Sequence, residues 1–254
     1  MANEIIRHFP QHVNYLEPCG GGAGVLLRKP RAKLETYNDL DNDVVNFFRV
    51  LRDHLEELIR KIRLTPWARA EYEQNIDGDE IERARRFFAR SWMSIGGWPS
   101  GWRCSTAYES RPTPARDMVN NELEQVANRL IGVQIENRDW REVVERYDSP
   151  TTLIYIDPPY LKDPRVNFGK YTFEWSDSDH AEAAELLRGV KSHVVLSGYQ
   201  SPLYAEIYEA HGWRRVDFEV RSSGSKQTES LWLSPSVVPP NKRLHPTEQA
   251  RLFT

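Results

Sequence analysis

The sequence predicts an α/β fold: a largely parallel sheet covered by helices on both faces, with a β-hairpin at one edge. Three observations carry this. Short runs of β-branched and apolar residues alternate with segments of helical apolar spacing along most of the 254 residues. Two of those runs end where sheet cannot continue, in PCGGGAG after Glu17 and in DPPY after Ile156. The last two β-rich segments, WRRVDFEVRSS and ESLWLSP, have no helix between them.

In chain order, VNYLE (Val13 to Glu17) is a short buried strand that runs into a turn with glycine at four of seven positions. Leu34 to Asn38 is a second strand, closed by Asp39. DNDVVNFFRVLRDHLEELIRKI then puts Val44, Phe47, Phe48, Leu51, Leu55, Leu58 and Ile62 on one helical face, with Asp41 as cap. From Thr65 to Asp117 the character changes: β-branched residues are few, and SWMSIGGWPSGWRCSTAYES is rich in aromatics. This stretch reads as an inserted helical and loop subdomain, 65–117.

The alternation then resumes with a helix through Leu123 and Leu130, strand GVQIEN, helix WREVVERY and strand TTLIYI. Helix DSDHAEAAELLRGV, strand HVVLSGY, helix PLYAEIYEAHG and the hairpin complete it. The main domain is therefore 1–64 plus 118–234. The proline-containing segment 235–254 reads as a disordered tail.

Bulk properties exclude several classes. The N-terminus MANEIIRHFPQH is too charged for a signal peptide, and no apolar run approaches the roughly 20 residues of a membrane span. The reading is a cytoplasmic protein without membrane contact. Cys19 and Cys104 fit no metal spacing, so neither a disulfide framework nor a zinc site is expected. A net charge of −3 does not mark a nucleic-acid binder by bulk electrostatics. The local basic run ERARRFFAR (Glu82 to Arg90) follows the acidic DGDEIE and reads equally well as a solvated helix face.

Ligands of open α/β sheets bind outside the carboxyl ends of the strands. Glu17, Asp39 and Asp157 sit at three such ends. A glycine turn admits close backbone approach, and an acid about 20 residues later can accept bonds from ribose hydroxyls. Together they describe a nucleoside-containing cofactor; a plain tight turn is the bland alternative. Asp157-Pro158-Pro159-Tyr160 narrows the chemistry to an amine. The lone pair of a nucleobase amine is delocalised into its ring. If the Asp157 carboxylate and the Pro158 carbonyl each accept one of its N–H bonds, the nitrogen can pyramidalise toward an electrophile. The two prolines hold both acceptors rigid, and Tyr160 offers a face for stacking.

At these residues the chain resembles the D12-class N6-adenine-specific DNA methyltransferases, the DNA adenine methylase family. YLEPCGGGAGVLLRK is similar to the family's cofactor motif, YNDLDNDVVNFFRVL to its ribose-acid motif and LIYIDPPY to its catalytic motif. SDSDHAEAAELL, VVLSGY and KQTESLWLS follow in the family's order. The resemblance implies a seven-stranded, mostly parallel methyltransferase (Rossmann-like) sheet, with 65–117 as target-recognition insertion. It implies S-adenosylmethionine bordered by Glu17, Pro18, Gly20, Gly21 and Gly22, with Asp39 on its ribose and Asp139 and Trp140 beside its adenine. Asp157 would lie between cofactor and target amine, and no metal is implied. The partner is double-stranded DNA whose target adenine is flipped out. A restriction endonuclease sharing the site is compatible, without a stable complex, and the chain is expected to be a monomer.

The chain departs from the family pattern at Cys19, where Phe is usual, and in lacking a Gly-Gly-Lys segment before its first helix. Arg103, Arg111 and Arg116 read as phosphate ligands or as ordinary surface arginines. LKDPRVNFGKYTFEWS, with Lys162, Arg165 and Lys170, reads as a DNA-contacting loop over the base or as a long connection. Trp92, Trp98 and Trp102 read more readily as core than as DNA contacts. His180 reads as a packing or capping residue, and Tyr199 as core or pocket wall. LHPTEQ (Leu244 to Gln249) reads as coincidence. The rival enzyme reading is an amino methylase acting on cytosine N4, RNA or a protein glutamine. From another class, the rival is a weakened remnant that only binds DNA.

Overall fold

The computed structural model describes residues 1–94, 101–103, 122–161, 174–222 and 225–238. One seven-stranded sheet runs in the order β3-β2-β1-β4-β5-β7-β6. Its strands are β1 (Asn14–Glu17), β2 (Leu34–Asn38), β3 (Val133–Glu136), β4 (Thr152–Ile156), β5 (His193–Gly198), β6 (Arg214–Ser222) and β7 (Ser225–Leu233). The first five are parallel; β7 pairs antiparallel with both β5 and β6. All five residues of β4 are buried, as a parallel strand covered on both faces requires, which is why TLIYI is apolar without alternation.

The helices are α1 (Ala2–Ile6), α2 (Asn42–Asp53), α3 (Leu55–Leu64), α4 (Arg69–Glu73), α5 (Glu80–Met93), α6 (Leu123–Leu130), α7 (Trp140–Tyr147), α8 (Asp177–Gly189) and α9 (Pro202–Ile207). Successive strand residues point to opposite faces, so each face has its own core. On one face Tyr15, Leu153, Tyr155, Val195, Leu231 and Leu233 pack with residues of α1, α2, α3, α5 and α6. On the other, Leu16, Ile154, Ile156, Val194, Leu196 and Trp232 pack with α7, α8 and α9.

Three expectations are corrected. The single helix expected from Asp41 divides at His54, whose backbone (φ −135°, ψ 38°) leaves the helical region. No glycine or proline marks the break, and both halves keep their apolar faces in the same core, so the spacing reads as continuous. Strand β7 begins at Ser225, so KQT is sheet and not loop. The expected tail packs against the domain at its start: the Val237 N–H donates to the Ser234 carbonyl, and Val237 is only 4% exposed within the larger core. Residues 239–254, including LHPTEQ, lie outside the described residues.

The start of the 65–117 stretch is joined to the sheet. Helix α5 brings Ala84 and Phe88 into the same core as α2, and Asp79 caps it by accepting the Glu82 N–H at 2.7 Å. Trp92 is half-buried against the larger core and 5.8 Å from Phe88, and the half-buried Trp102 meets the rings of Trp67 and Tyr72. Trp98, Cys104, Arg111 and Arg116 lie outside the described residues. A buried ion network ties the amino-end side of the sheet. Glu35 accepts from Lys29 Nζ at 2.6 Å and from Arg129 at 2.6 and 2.9 Å.

Candidate active site

The strand order reverses direction between β1 and β4, which are hydrogen-bonded neighbours with Leu16 opposite Ile154. This is the topological switch point, where a crevice opens at the carboxyl ends. The glycine turn after β1 and the DPPY turn after β4 therefore lie side by side.

The glycine turn is held by its neighbours. The Gly20 N–H donates to the Asn38 carbonyl at 2.9 Å, and the Tyr37 hydroxyl donates to the Gly21 carbonyl at 2.6 Å. A Cβ on Gly20 would come within 2.1 Å of the Tyr37 ring, so this glycine is required by packing from below. Gly21, at φ +48°, and Gly22 face open space on the other side. Asp39 is half-buried and accepts the Gly21 N–H through Oδ2 at 2.7 Å and the Asp41 N–H through Oδ1 at 2.8 Å. Burial raises its carboxyl, and those backbone bonds oppose the rise.

Glu17 lies beneath the turn and is 2% exposed, accepting from the Leu26 N–H at 3.2 Å and the Tyr15 hydroxyl at 3.3 Å. Burial, and next the charge of Asp157, push its carboxyl up to about 8. Pro18 is also buried, and its carbonyl accepts from the Asn38 side chain at 2.8 Å.

Asp157 keeps accessible surface while protein crowds it on its remaining sides, as on the floor of a cleft. Burial raises its carboxyl; hydrogen bonds from Ser197 and Tyr160 pull it back. Ser197 Oγ donates to Asp157 Oδ1 at 2.6 Å. A carboxylate has about four acceptor positions, so room remains for an amine. Pro158 is buried and Pro159 half-buried, the rigid base of the turn. The Tyr160 ring meets Tyr199 edge to face, centroids 4.8 Å apart, and Tyr199 is 37% exposed. Two tyrosines thus wall one side of the cleft.

Asp139 caps α7 by accepting the Arg141 N–H at 2.8 Å, and its carboxylate pairs with the Arg141 guanidinium. Trp140 is buried, with Trp175 5.0 Å from its ring and the Arg141 guanidinium 4.8 Å from it. Cys19 is half-buried at the meeting point of these elements. Burial raises its thiol, and the charges of Asp39, Asp157 and Asp139 raise it further, which favours the protonated thiol. The structure thus gathers Glu17, Pro18, the glycines, Asp39, Asp139, Trp140 and the DPPY residues around one crevice.

Among the expected DNA contacts, Arg103 is half-buried; its N–H donates to the Met93 carbonyl and its own carbonyl accepts from Trp67. Lys162, Arg165 and Lys170 lie outside the described residues. No group of three or more metal-ligating side chains occurs among the described residues.

Sequence reasoning missed Asn38 and Ser197. Asn38 Nδ2 donates to the Pro18 and Arg138 carbonyls while Oδ1 accepts the Arg138 N–H, tying the loops after β1, β2 and β3 together. Its position immediately before the ribose-acid candidate was the available signal. Ser197, in VVLSGY, had only its place at a strand end.

A seven-stranded sheet of this order, with a glycine turn and an Asp-Pro-Pro turn meeting at its switch point, defines the class: an α/β methyltransferase. The family model of the D12 class N6 adenine-specific DNA methyltransferase matches residues 1–221, and the chain belongs to that family. It is therefore an adenine-specific DNA methyltransferase by family, drawing on a methyl donor. Among curated proteins it is similar to the type II methyltransferase M.MjaIII of Methanocaldococcus jannaschii, 22% identical over 251 residues covering 86% of each chain. It is also similar to the type II methyltransferase M1.LlaDCHI of Lactococcus lactis subsp. cremoris, 25% identical over 256 residues covering 87% of each.

Proposed function

We propose that the chain transfers the methyl group of S-adenosylmethionine to N6 of an adenine extruded from duplex DNA. The observation that carries this is the adjacency of the two turns, fixed by the Leu16 to Ile154 pairing. The open space over Gly21 and Gly22 and the half-buried Asp39 carboxylate fit a nucleoside-bearing cofactor. Glu17, Pro18 and Gly20 would border it, Asp39 would accept from its ribose, and Asp139 and Trp140 would flank its base. Bound there, S-adenosylmethionine supplies an electrophilic methyl carbon on a sulfonium.

The protein's part is to present the nucleophile. The Asp157 carboxylate accepts one N–H of the amine and the Pro158 carbonyl the other, which turns the nitrogen lone pair out of the ring plane. Tyr160 and Tyr199 hold the base by its faces and edges; stacking of about 1 to 3 kcal/mol offsets part of the cost of extrusion. With that cofactor held there, methyl transfer to the nitrogen would leave the carbon–sulfur electron pair on the departing sulfur. The amine then sheds one proton, and the raised Asp157 carboxyl is suited to receive it.

The division into a catalytic unit (1–64 and 118–234) and a target-recognition insertion (65–117) belongs to this reading. So do phosphate contacts by Arg103, Lys162, Arg165 and Lys170, a monomeric state and a cytoplasmic location. Among the described residues, no helix is long and apolar enough to cross a membrane. The names of the two relatives suggest a companion restriction endonuclease with the same target site.

The test is incubation with labelled S-adenosylmethionine and unmethylated duplex DNA, digestion to nucleosides and identification of the labelled base. N6-methyladenine is expected, and Asp157→Ala should abolish it. Label in cytosine, or only in RNA or protein, would replace this reading with another amino methylase.

A further inference from the structure

Three carboxyl groups, Glu17, Asp157 and Glu229, lie on the side of the sheet where the parallel strands end, and the proposed function uses two of them. Alternation puts Glu17 with Tyr15, Asp157 with Tyr155, and Glu229 with Leu231 and Leu233, all on the face of the larger core. Glu229 lies on β7 beside the cleft. In the β5–β7 ladder Gly198 is opposite Ser230, so one further step sets Tyr199 opposite Glu229. That is the same Tyr199 whose ring meets Tyr160.

Glu229 is 6% exposed, and its Oε2 is buried without any hydrogen-bond partner. Such a group costs stability unless it is used, because the oxygen has lost water and gained nothing in return. Its surroundings are those of the cleft. The charge of Glu229 acts on Tyr160, Tyr199 and Tyr155, and Asp157 acts on Glu229. The amino group of Met1, just ahead of α1, also reaches it and favours the charged form.

We propose that Glu229 is a base-binding residue, its carboxyl donating an acid proton to a ring nitrogen that flanks the reacting amine of the extruded adenine. The inference rests on the proposed function and names a contact at the same site. Adenine presents an acceptor nitrogen on each side of its amine, N1 and N7. With the amine's two hydrogens taken by Asp157 and Pro158, a donor is what the adjoining edge still needs. Among the described residues, the Tyr160 hydroxyl on the cleft wall is already bonded to Asp157 and does not satisfy that edge. Burial, and next the Asp157 charge, raise the Glu229 carboxyl while the Met1 amine opposes them, and in its protonated form the carboxyl can donate.

The test compares wild type, Glu229→Ala and Glu229→Gln on unmethylated duplex DNA, with N6-methyladenine as readout and cofactor binding followed by calorimetry. Glu229→Ala should lower kcat/KM for DNA by about 10- to 100-fold, the cost of an unmade bond to a buried acceptor. It should leave the affinity for S-adenosylmethionine unchanged. Glu229→Gln, which carries a donor of the same length, should recover most of the loss. Undiminished transfer by Glu229→Ala overturns the proposal. So does a Glu229→Gln variant as impaired as Glu229→Ala, which would show that a charged carboxylate is needed. Wild-type methylation of a base other than adenine overturns the functional reading, and an unaltered Glu229→Ala beside adenine-methylating wild type overturns only this one.

Discussion

Ser197 Oγ on β5 donates its proton to Asp157 Oδ1 at 2.6 Å and accepts from the Tyr155 hydroxyl at 3.1 Å, so a chain of three side chains fixes the acid of the DPPY turn. Burial raises the Asp157 carboxyl and the Ser197 bond lowers it. Ser197→Ala should therefore raise it further. Since the working form is the carboxylate, activity is lost as pH falls through that value. The acid limb of the kcat/KM profile should then move to higher pH, with kcat at neutral pH reduced by about 10-fold, one charge-assisted bond's worth. A pH–rate profile with an unmoved acid limb would contradict this.

Gly20 has no room for a methyl group, since its Cβ would sit 2.1 Å from the Tyr37 ring. Gly20→Ala should displace that ring or the turn, costing about 1 to 3 kcal/mol as other overpacked sites do. Both a lower Tm and weaker binding of S-adenosylmethionine are expected. By contrast, Gly22→Ala meets no atom within 4 Å and should keep the Tm while weakening only the cofactor. Thermal melts and calorimetry on the two variants separate fold from ligand contact.

Glu35 holds two cations at the amino-end side of the sheet, away from the carboxyl ends that carry the turns. Burial raises its carboxyl, but hydrogen bonds from Arg129 and Lys29 outweigh it and bring the group down to about 2. A depressed folded-state value means stability that is present above the ordinary carboxylate range and is lost as pH falls toward 2. Glu35→Ala strands Lys29, whose side chain is 1% exposed, and should cost about 3 to 5 kcal/mol. Denaturant titration should show that loss at pH 7. The methyl-transfer rate of the folded fraction should change little.

Glu17 has the opposite sign. With the folded value near 8 and the unfolded one near 4.5, the folded state holds an extra proton between those limits, so its contribution falls as pH rises through that window. The slope for one proton is at most about 1.4 kcal/mol per pH unit. Glu17→Gln keeps the shape and an acceptor for Leu26 and Tyr15 but cannot ionise. Its stability relative to wild type should grow from pH 5 to 8 in urea melts. A constant difference over that range would mean Glu17 is ionised in the folded protein.

Much of the fold was legible because its signals are local. The strands NYLE and TLIYI end beside prolines and LETYN ends at Asp39, and α7 matches WREVVERY because Asp139 caps it. The break at His54 was not legible, since it is a backbone departure inside an unbroken apolar pattern. Asp39 and Asp157 stood out because each follows a strand directly. Asn38, Ser197 and Glu229 did not, because their roles come from neighbours across the sheet. Asn38 bonds Arg138 one hundred positions away, and Ser197 reaches Asp157 across forty.

The pairing of β1 with β4 has a consequence for ancestry. The strands that carry the glycine turn and the DPPY turn are joined by sheet hydrogen bonds, while β2, β3 and α2 to α7 intervene along the polypeptide. Nothing in the chemistry records which turn was synthesised first. A gene whose halves were exchanged, so that the DPPY strand preceded the glycine strand, would rebuild the same crevice provided the new joint fell in a surface loop. Rearranged coding order is thus a route by which this scaffold can diversify while its reacting groups stay in place.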